Sequence, residues 1–248
     1  MRIQTKKNES VLILPDIHNK IELANKIIKE EAPNYVICLG DIFDSFYDTP
    51  ELNKKSARWL RNMLSQDNFF CCLGNHDTHY AYNNYMVTCS GFSVDKYHAI
   101  NSIMEEKDWN KLEFVFNLND EWILSHAGFS LLAKQLLKFK GKSFESVYNF
   151  LEEESCQAKK ALANFIPHWV FLSGRSRGGV MLYGGLNWCD WDDDFKPIPN
   201  IKQIVGHTPN RALTVREIDN NYCLDTHLNH YAIILNNKII IKESQFSG

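Results

Sequence analysis

Five short apolar runs in this chain each lead into residues that can bind a metal ion. Val11-Leu12-Ile13-Leu14 leads into Asp16-Ile17-His18, and Tyr35-Val36-Ile37-Cys38-Leu39 into Gly40-Asp41-Ile42-Phe43-Asp44. Phe69-Phe70-Cys71-Cys72-Leu73 leads into Gly74-Asn75-His76-Asp77, Trp122-Ile123-Leu124 into Ser125-His126, and Ile204-Val205 into Gly206-His207-Thr208-Pro209. Carboxylates, an amide and imidazoles suit borderline divalent ions such as Mn²⁺, Fe²⁺, Zn²⁺ or Co²⁺. Two adjacent cations need a shared anion to screen their repulsion. Asp41, central in the series, is the natural bridge. Taken singly, Asp16 or Asp41 reads as a turn residue or helix cap, and His18 or His126 as a hydrogen-bonded structural histidine. The ordered repetition reverses that reading.

The positioning elements follow from the same runs. Short apolar stretches bounded by Gly, Pro, Asp or Asn read as strands buried on both faces. In open α/β sheets, ligands bind outside the carboxyl ends of the strands, so polar residues placed just after each strand converge on one crevice. Between the strands, residues 20–31 carry Ile21, Ala24, Ile27 and Ile28 on one helical face, with Pro33 as the stop. Thr49-Pro50 opens a second helix through about Leu64. Residues 78–118 are rich in aromatics (Tyr80, Tyr82, Tyr85, Phe92, Tyr97, Trp109), with a helix expected near 95–107. Residues 129–166 read as mostly helical, with Leu131, Leu132, Leu136 and Leu137 as one amphipathic stretch and residues 143–165 as another. The C-terminal part alternates in strand fashion around Leu213/Val215, Tyr222–Leu224, Tyr231–Leu235 and Lys238–Ile241, with Asn236-Asn237 as a hairpin turn.

The ordered series DIH, GDIFD, GNHD, SHAG and GHTP resembles the calcineurin-like metallophosphoesterase superfamily. It is most similar to the branch of the Ser/Thr phosphoprotein phosphatases and the bacterial symmetric diadenosine tetraphosphatases. The resemblance implies an α/β fold: a two-sheet β-sandwich flanked by helices in α-β-β-α layers, with a helical cap insertion. It also implies a metal pair. One ion is held by Asp16, His18 and Asp41, the other by Asp41, Asn75, His126 and His207. Mn²⁺ is the leading candidate, with Fe, Zn and Co as the others. His76 is implied as the group facing the leaving oxygen, steadied by Asp44. The chemistry suits these types: two metals about 3.5–4 Å apart clamp the attacking and leaving oxygens and activate water. A histidine beside a carboxylate is expected to be held charged and oriented as a general acid.

One departure stands out. The phosphoprotein phosphatase branch continues GDxVDRG, and its Arg binds phosphate; here Ser45 occupies that position in GDIFDSFYD. A second family Arg falls within Gly174-Arg175-Ser176-Arg177-Gly178-Gly179, where Arg177 is the better match and Arg175 the next. Guanidinium groups make two-pronged contacts to phosphate; the competing reading is a solvated basic loop. The expected reaction is hydrolysis of a phosphate ester, foremost as a phosphomonoesterase acting on phosphoproteins. A nucleotide or dinucleoside polyphosphate hydrolase is the alternative, and an inactive metal-binding scaffold is a third reading from a different class.

The chain has 248 residues and a formal net charge of −3, a balance that argues against general nucleic-acid binding. One domain spanning 1–248 is expected, holding the helical and aromatic insertion of about 78–118 and the helical segment of about 129–166. No spanning apolar stretch or signal sequence is evident, and the N-terminal decapeptide leads directly into a strand. The seven cysteines lack paired zinc-type spacing and read as buried reduced thiols, which fits a cytoplasmic setting. No ligand role is expected for His79, His98, His168, His227 or His230. Asp225 before His227 reads as a structural turn, and the acidic-aromatic run 184–194 as a solvated loop with its Trp residues on the core. The oligomeric state is not legible.

Overall fold

A computed structural model describes residues 1–45, 47–133 and 135–245. Position 46 of the GDIFDSFYD run, position 134 of the expected helical segment and the last three residues of the expected domain lie outside the described residues. In chain order the elements are β1 (Arg2–Ile3), β2 (Ser10–Leu14), α1 (Ile21–Glu31), β3 (Tyr35–Cys38), α2 (Pro50–Leu64), β4 (Phe69–Cys71), α3 (Asn75–Tyr82), α4 (Val94–Asn101), α5 (Glu106–Trp109), β5 (Val115–Leu118), β6 (Trp122–Ser125), α6 (Phe144–Ala163), β7 (Lys202–Val205), β8 (Arg216–Ile218), β9 (Asn221–Cys223), β10 (His230–Leu235) and β11 (Lys238–Glu243).

Successive side chains of a strand point to opposite faces, and the two faces of β2 show the consequence. Val11 and Ile13 join a core shared with Phe116, Leu118, Leu124 and Ile204 of the other sheet, while Leu12 and Leu14 join a second core with Ala24 and Ile27 of α1 and Leu60 of α2. Both faces are fully buried, so the strand reads as a continuous apolar run rather than an alternating one. One sheet has the order β11-β10-β2-β3-β4 and the other β1-β5-β6-β7-β9-β8. This is the expected α/β architecture, two mixed sheets flanked by helices.

The strands that precede the five motifs are parallel neighbours. Leu14 pairs with Cys38 and Cys38 with Cys71 across β2, β3 and β4, and Leu124 pairs with Ile204 across β6 and β7. Their carboxyl ends therefore open in the same direction within each sheet, three from one and two from the other. Helix termini follow their local chemistry. Thr49 Oγ1 accepts from Leu52 N at 3.2 Å with Pro50 in the first turn of α2. Ala32, left-handed at φ 41°, ends α1 before Pro33.

Several expectations are corrected. Among the described residues of 131–137 there is no amphipathic helix. They make successive turns, with Ala133 N bonded to Ser130 O and Leu136 N to Ala133 O, and Leu131 N ties the segment to Lys196 O across the fold. The insertion helix expected near 95–107 is two short helices, α4 and α5, the second capped by Asp108 Oδ2 accepting from Glu105 N at 2.9 Å. Leu213 and Val215 precede β8 rather than lie in it. The decapeptide at the start is not all lead-in, since β1 pairs with β5. Asn236 and Asn237 do form the β10–β11 turn, both at positive φ (51° and 62°), as a two-residue hairpin with right-handed strand twist requires. Among the described residues, no helix is long and apolar enough to cross a membrane.

Candidate metal centre

Asp16 follows β2 on one sheet and His207 follows β7 on the other, and both Asp16 carboxylate oxygens lie 3.0 Å from the His207 backbone N–H. The approach requires a glycine before the histidine, since a Cβ at Gly206 would stand 1.9 Å from Asp16 Oδ1. Gly74 is held likewise: its Cβ would lie 2.2 Å from Asp41 Oδ1. His18, Asp41, Asp44 and His207 all adopt positive φ (44°, 50°, 62° and 68°), a conformation that costs a non-glycine residue energy and persists where the surroundings impose it.

Asp77, the last residue of GNHD, supplies that constraint at Asp41. It is fully buried, and its carboxylate accepts from Asp41 N at 2.8 Å, Ile42 N at 2.9 Å and Gly74 N at 3.0 Å, locking two motif loops together. Burial pushes its carboxyl up to about 6, against the pull of those backbone donors. Sequence reasoning quoted Asp77 but gave it no role; a carboxylate three residues after the glycine that begins a helix was the available signal.

Two donor clusters form, joined at Asp41. Asp16, His18 and Asp41 make one, and Asp41, His126 and His207 the other, each with ligand atoms within 4.8 Å of one another. His18 Nδ1 donates to Asp44 O at 2.7 Å, which leaves the Nε2 lone pair 3.9 Å from Asp41 Oδ2. His126 Nδ1 donates to Leu39 O at 3.0 Å, so its Nε2 also presents a lone pair. That lone pair faces Asn75 Oδ1 at 2.8 Å, Asp41 Oδ2 at 3.4 Å and His207 Nδ1 at 3.1 Å. Asn75 Oδ1 is also 2.9 Å from His207 Nδ1, while His207 Nε2 is buried without a partner. Buried acceptors turned on one another repel unless a cation sits between them. The donor set therefore fits a metal pair sharing Asp41.

The electrostatics carry the same signature. Burial pushes Asp16 and Asp41 well above the usual carboxylate range, with Asp225 adding to the first and Asp77 to the second. Burial lowers His126 to about 3 and puts His207 well below its ordinary value, and the Arg177 charge acts in the same direction on both. Asp225 does cap its turn, with Oδ1 accepting from His227 N at 3.2 Å, yet it is buried close enough to bias both carboxylates. It is more than the structural turn expected.

His76 lies beside this centre at the start of α3. Its backbone N–H donates to Asp41 Oδ1 at 2.9 Å and its Nδ1 lies 3.0 Å from Asp44 Oδ2. Asp44 also receives Tyr80 Oη at 2.7 Å and Lys96 Nζ at 2.7 Å, with His79 Nε2 at 3.2 Å. Burial opposes ionisation of Asp44, but His76, His79, Lys96 and Tyr80 together outweigh it and hold the carboxyl well below the usual range. Asp44 orients His76 without holding it charged: burial of the imidazole outweighs the carboxylate and lowers its pKa, contrary to expectation. Tyr80, Lys96 and His79 come from the insertion and were not singled out for this role.

The two arginines separate. Arg177 Nε donates to Asp190 Oδ2 at 2.6 Å and Nη2 to Thr208 Oγ1 at 3.3 Å, beside His207. Arg175 is exposed. The acidic run expected to be a solvated loop is in part a brace. Asp194 is buried, accepting from Gly184 N at 2.8 Å and Ser176 Oγ at 3.0 Å, and Asp190 is buried against Arg177; Asp192 and Asp193 remain exposed. Trp191 stacks on Phe195 at 4.2 Å between ring centroids. All seven cysteines are free thiols.

A family model described as calcineurin-like phosphoesterase matches residues 10–211. No curated protein sequence matches the chain. Among solved structures, the cold-active protein-tyrosine phosphatase of a psychrophilic Shewanella species is 14% identical with a TM-score of 0.65, over 99% of this chain and 80% of that one. A protein serine/threonine phosphatase from Saccharomyces cerevisiae is 12% identical with a TM-score of 0.55, over 100% and 84%. A candidate diadenosine tetraphosphatase is 13% identical with a TM-score of 0.52, over 99% of both chains. At these identities the likeness is one of fold.

Proposed function

The chain belongs to the calcineurin-like phosphoesterase family, whose members are metal-dependent hydrolases of phosphate esters, and from that premise we propose that it is a phosphomonoesterase acting on phosphoproteins. The observation that carries the reading is the pair of donor clusters sharing Asp41, with His76 braced beside them. Asp16, His18 and Asp41 would hold one divalent ion, and Asp41, Asn75, His126 and His207 the other, with Mn²⁺ the leading candidate. Such a pair supplies Lewis acidity and lowers the pKa of water toward neutrality.

The chain's own groups do the rest. Arg177 has two of its three nitrogens committed to Asp190 and Thr208. This fixes the plane of the guanidinium and leaves Nη1 to grip a phosphoryl oxygen. Water attacks phosphorus as the ester P–O bond breaks in line. His76 acts from its imidazolium form, the minor one because burial lowers its pKa: Nε2 gives its proton to the departing oxygen, Nδ1–H stays on Asp44, and the proton shed by the attacking water then restores the ring. The products are an alcohol and inorganic phosphate. Residues 1–248 act as one catalytic domain in this reading.

The second reading is hydrolysis of a dinucleoside polyphosphate; Ser45 weakens the first without selecting the second, because the position that carries a phosphate-binding Arg in the phosphoprotein phosphatase branch is uncharged here. A panel of phosphopeptides, alkyl and aryl monophosphates and a dinucleoside polyphosphate, assayed with Mn²⁺ and scored by product, decides. Inorganic phosphate released from phosphopeptides supports the first reading. Mononucleotides from the dinucleotide, with phosphopeptides untouched, overturn it in favour of the second.

A further inference from the structure

The turn after α3 brings a thiol against the braced histidine. Cys89 Sγ lies 3.5 Å from His79 Nδ1 and 3.9 Å from His76 Nδ1, and the donor atoms of the three residues lie within 4.8 Å of one another. In a tetrahedral zinc site, a metal–sulfur bond of about 2.3 Å and a metal–nitrogen bond of about 2.0–2.1 Å put the sulfur about 3.5 Å from each imidazole nitrogen. The observed spacing needs only a small adjustment to reach that geometry.

A second observation concerns the tautomer. His79 is fully buried, with Nε2 turned to Asp44 Oδ2 at 3.2 Å, while Nδ1 faces the thiol and takes only a long contact from Cys89 N at 3.4 Å. Ligation through Nδ1 places the ring hydrogen on Nε2, facing that carboxylate, the outer-shell pairing that metal-bound histidines use. Asn75 turns its amide nitrogen to Cys89 Sγ at 3.7 Å and its oxygen to His126 and His207, so one side chain separates this cluster from the paired centre.

We propose that His76, His79 and Cys89 form a separate, inhibitory zinc site. Thiolate and imidazole together select zinc over Mn²⁺ or Mg²⁺, and the paired centre holds no sulfur to compete for it. On binding, the Cys89 thiol proton passes to solvent, Sγ and both Nδ1 atoms bond the ion, and the His76 Nδ1 contact with Asp44 is broken. Both Cys89 and His76 are half-buried, so the cluster is not sealed from solvent. The inhibition rests on His76 serving as the acid; the binding does not.

The test uses the full chain carrying its Mn²⁺ pair. Added Co²⁺ gives a thiolate-to-metal charge-transfer band only where sulfur is bound. The band is expected in the wild type, absent in Cys89→Ser and weakened by at least about tenfold in apparent affinity in His79→Gln, since losing even an outer-shell partner of a ligand costs about 10–100-fold. Zn²⁺ is expected to slow turnover of an alkyl phosphate in the wild type, and the concentration for half-inhibition should rise by about tenfold or more in Cys89→Ser, with basal turnover unchanged. A folded wild type with no band, a band that survives Cys89→Ser, or equal zinc inhibition of both proteins overturns the proposal. If no phosphate ester is hydrolysed at all, the band still reads the site independently of the catalytic reading.

Discussion

Lys96 Nζ lies 2.7 Å from Asp44 Oδ1, with Asp48 Oδ2 at 3.1 Å on its other side. A cation from α4 in the insertion thus sits in the carboxylate that orients His76, and it is buried there. Removing one partner of a buried ion pair costs about 3–5 kcal/mol because the other charge is stranded. Asp44 keeps Tyr80 and His76, so Lys96→Met is expected at about the lower end of that range in urea denaturation. A loss under about 1 kcal/mol would mean the pair acts like a surface one. Asp44 is depressed in the folded state, so its contribution is present above the ordinary carboxylate pKa and is lost as pH falls from there toward the depressed value. The acid-side loss of stability should be shallower in Lys96→Met than in the wild type.

Asp16 and Asp41 sit on the opposite side of the balance. Their carboxyls are raised when folded and metal-free, so the folded chain holds more protons than the unfolded one, and this contribution to stability declines as pH rises through the raised range. Divalent ions must displace those protons. Metal binding should therefore release protons and strengthen with rising pH. His126, lowered to about 3, is already neutral and releases none near neutrality. Calorimetry of Mn²⁺ binding in two buffers of different ionisation heat measures the release; equal heats in both would contradict it.

The shared ligand and the acid should separate by metal content. Asp41→Asn is expected to lose both ions, because both clusters use this carboxylate. His76→Ala should keep two and slow alkyl phosphate turnover by ~10²–10⁴-fold, the range for a lost general acid. The loss should shrink on aryl phosphates, whose leaving groups need little protonation. Elemental analysis beside kinetics reads both, and a metal-free His76→Ala protein would refute the acid assignment.

Arg177 and Arg175 should differ. Arg177→Ala is expected to raise KM and lower kcat, with Lys only partly restoring function because an ammonium lacks the two-pronged geometry. Asp190→Asn should act in the same direction more weakly, since it frees Arg177 Nε. A change in kcat/KM of less than about threefold for Arg177→Ala, roughly 0.7 kcal/mol of transition-state binding, would remove the phosphate grip from the model of the reaction. Ser45→Arg should raise monoesterase activity if that position tunes substrate choice.

The strand-ending motifs were readable from the chain because each pairs a local apolar run with a polar residue immediately after it, and parallel strands buried on both faces leave few other patterns. α1, α2 and α6 were readable from apolar spacing, and α2 also from Thr49-Pro50 at its start. Leu131, Leu132, Leu136 and Leu137 had similar spacing, yet the described residues there form turns tied to Lys196 by Leu131 N, a distant partner that periodicity does not show. The site's inner wiring was not readable. Lys96 stands 52 positions from Asp44, and a lysine in a helix usually points to water. His76 and His79 share a face of α3 at i and i+3, but Cys89 reaches them only because the chain after α3 turns back toward that face. Ligand types and their order along the chain are one-dimensional properties. Which buried charge faces which, and whether burial or a neighbour sets the pKa of His76, depend on distances between segments far apart in the chain, and only packing sets those distances.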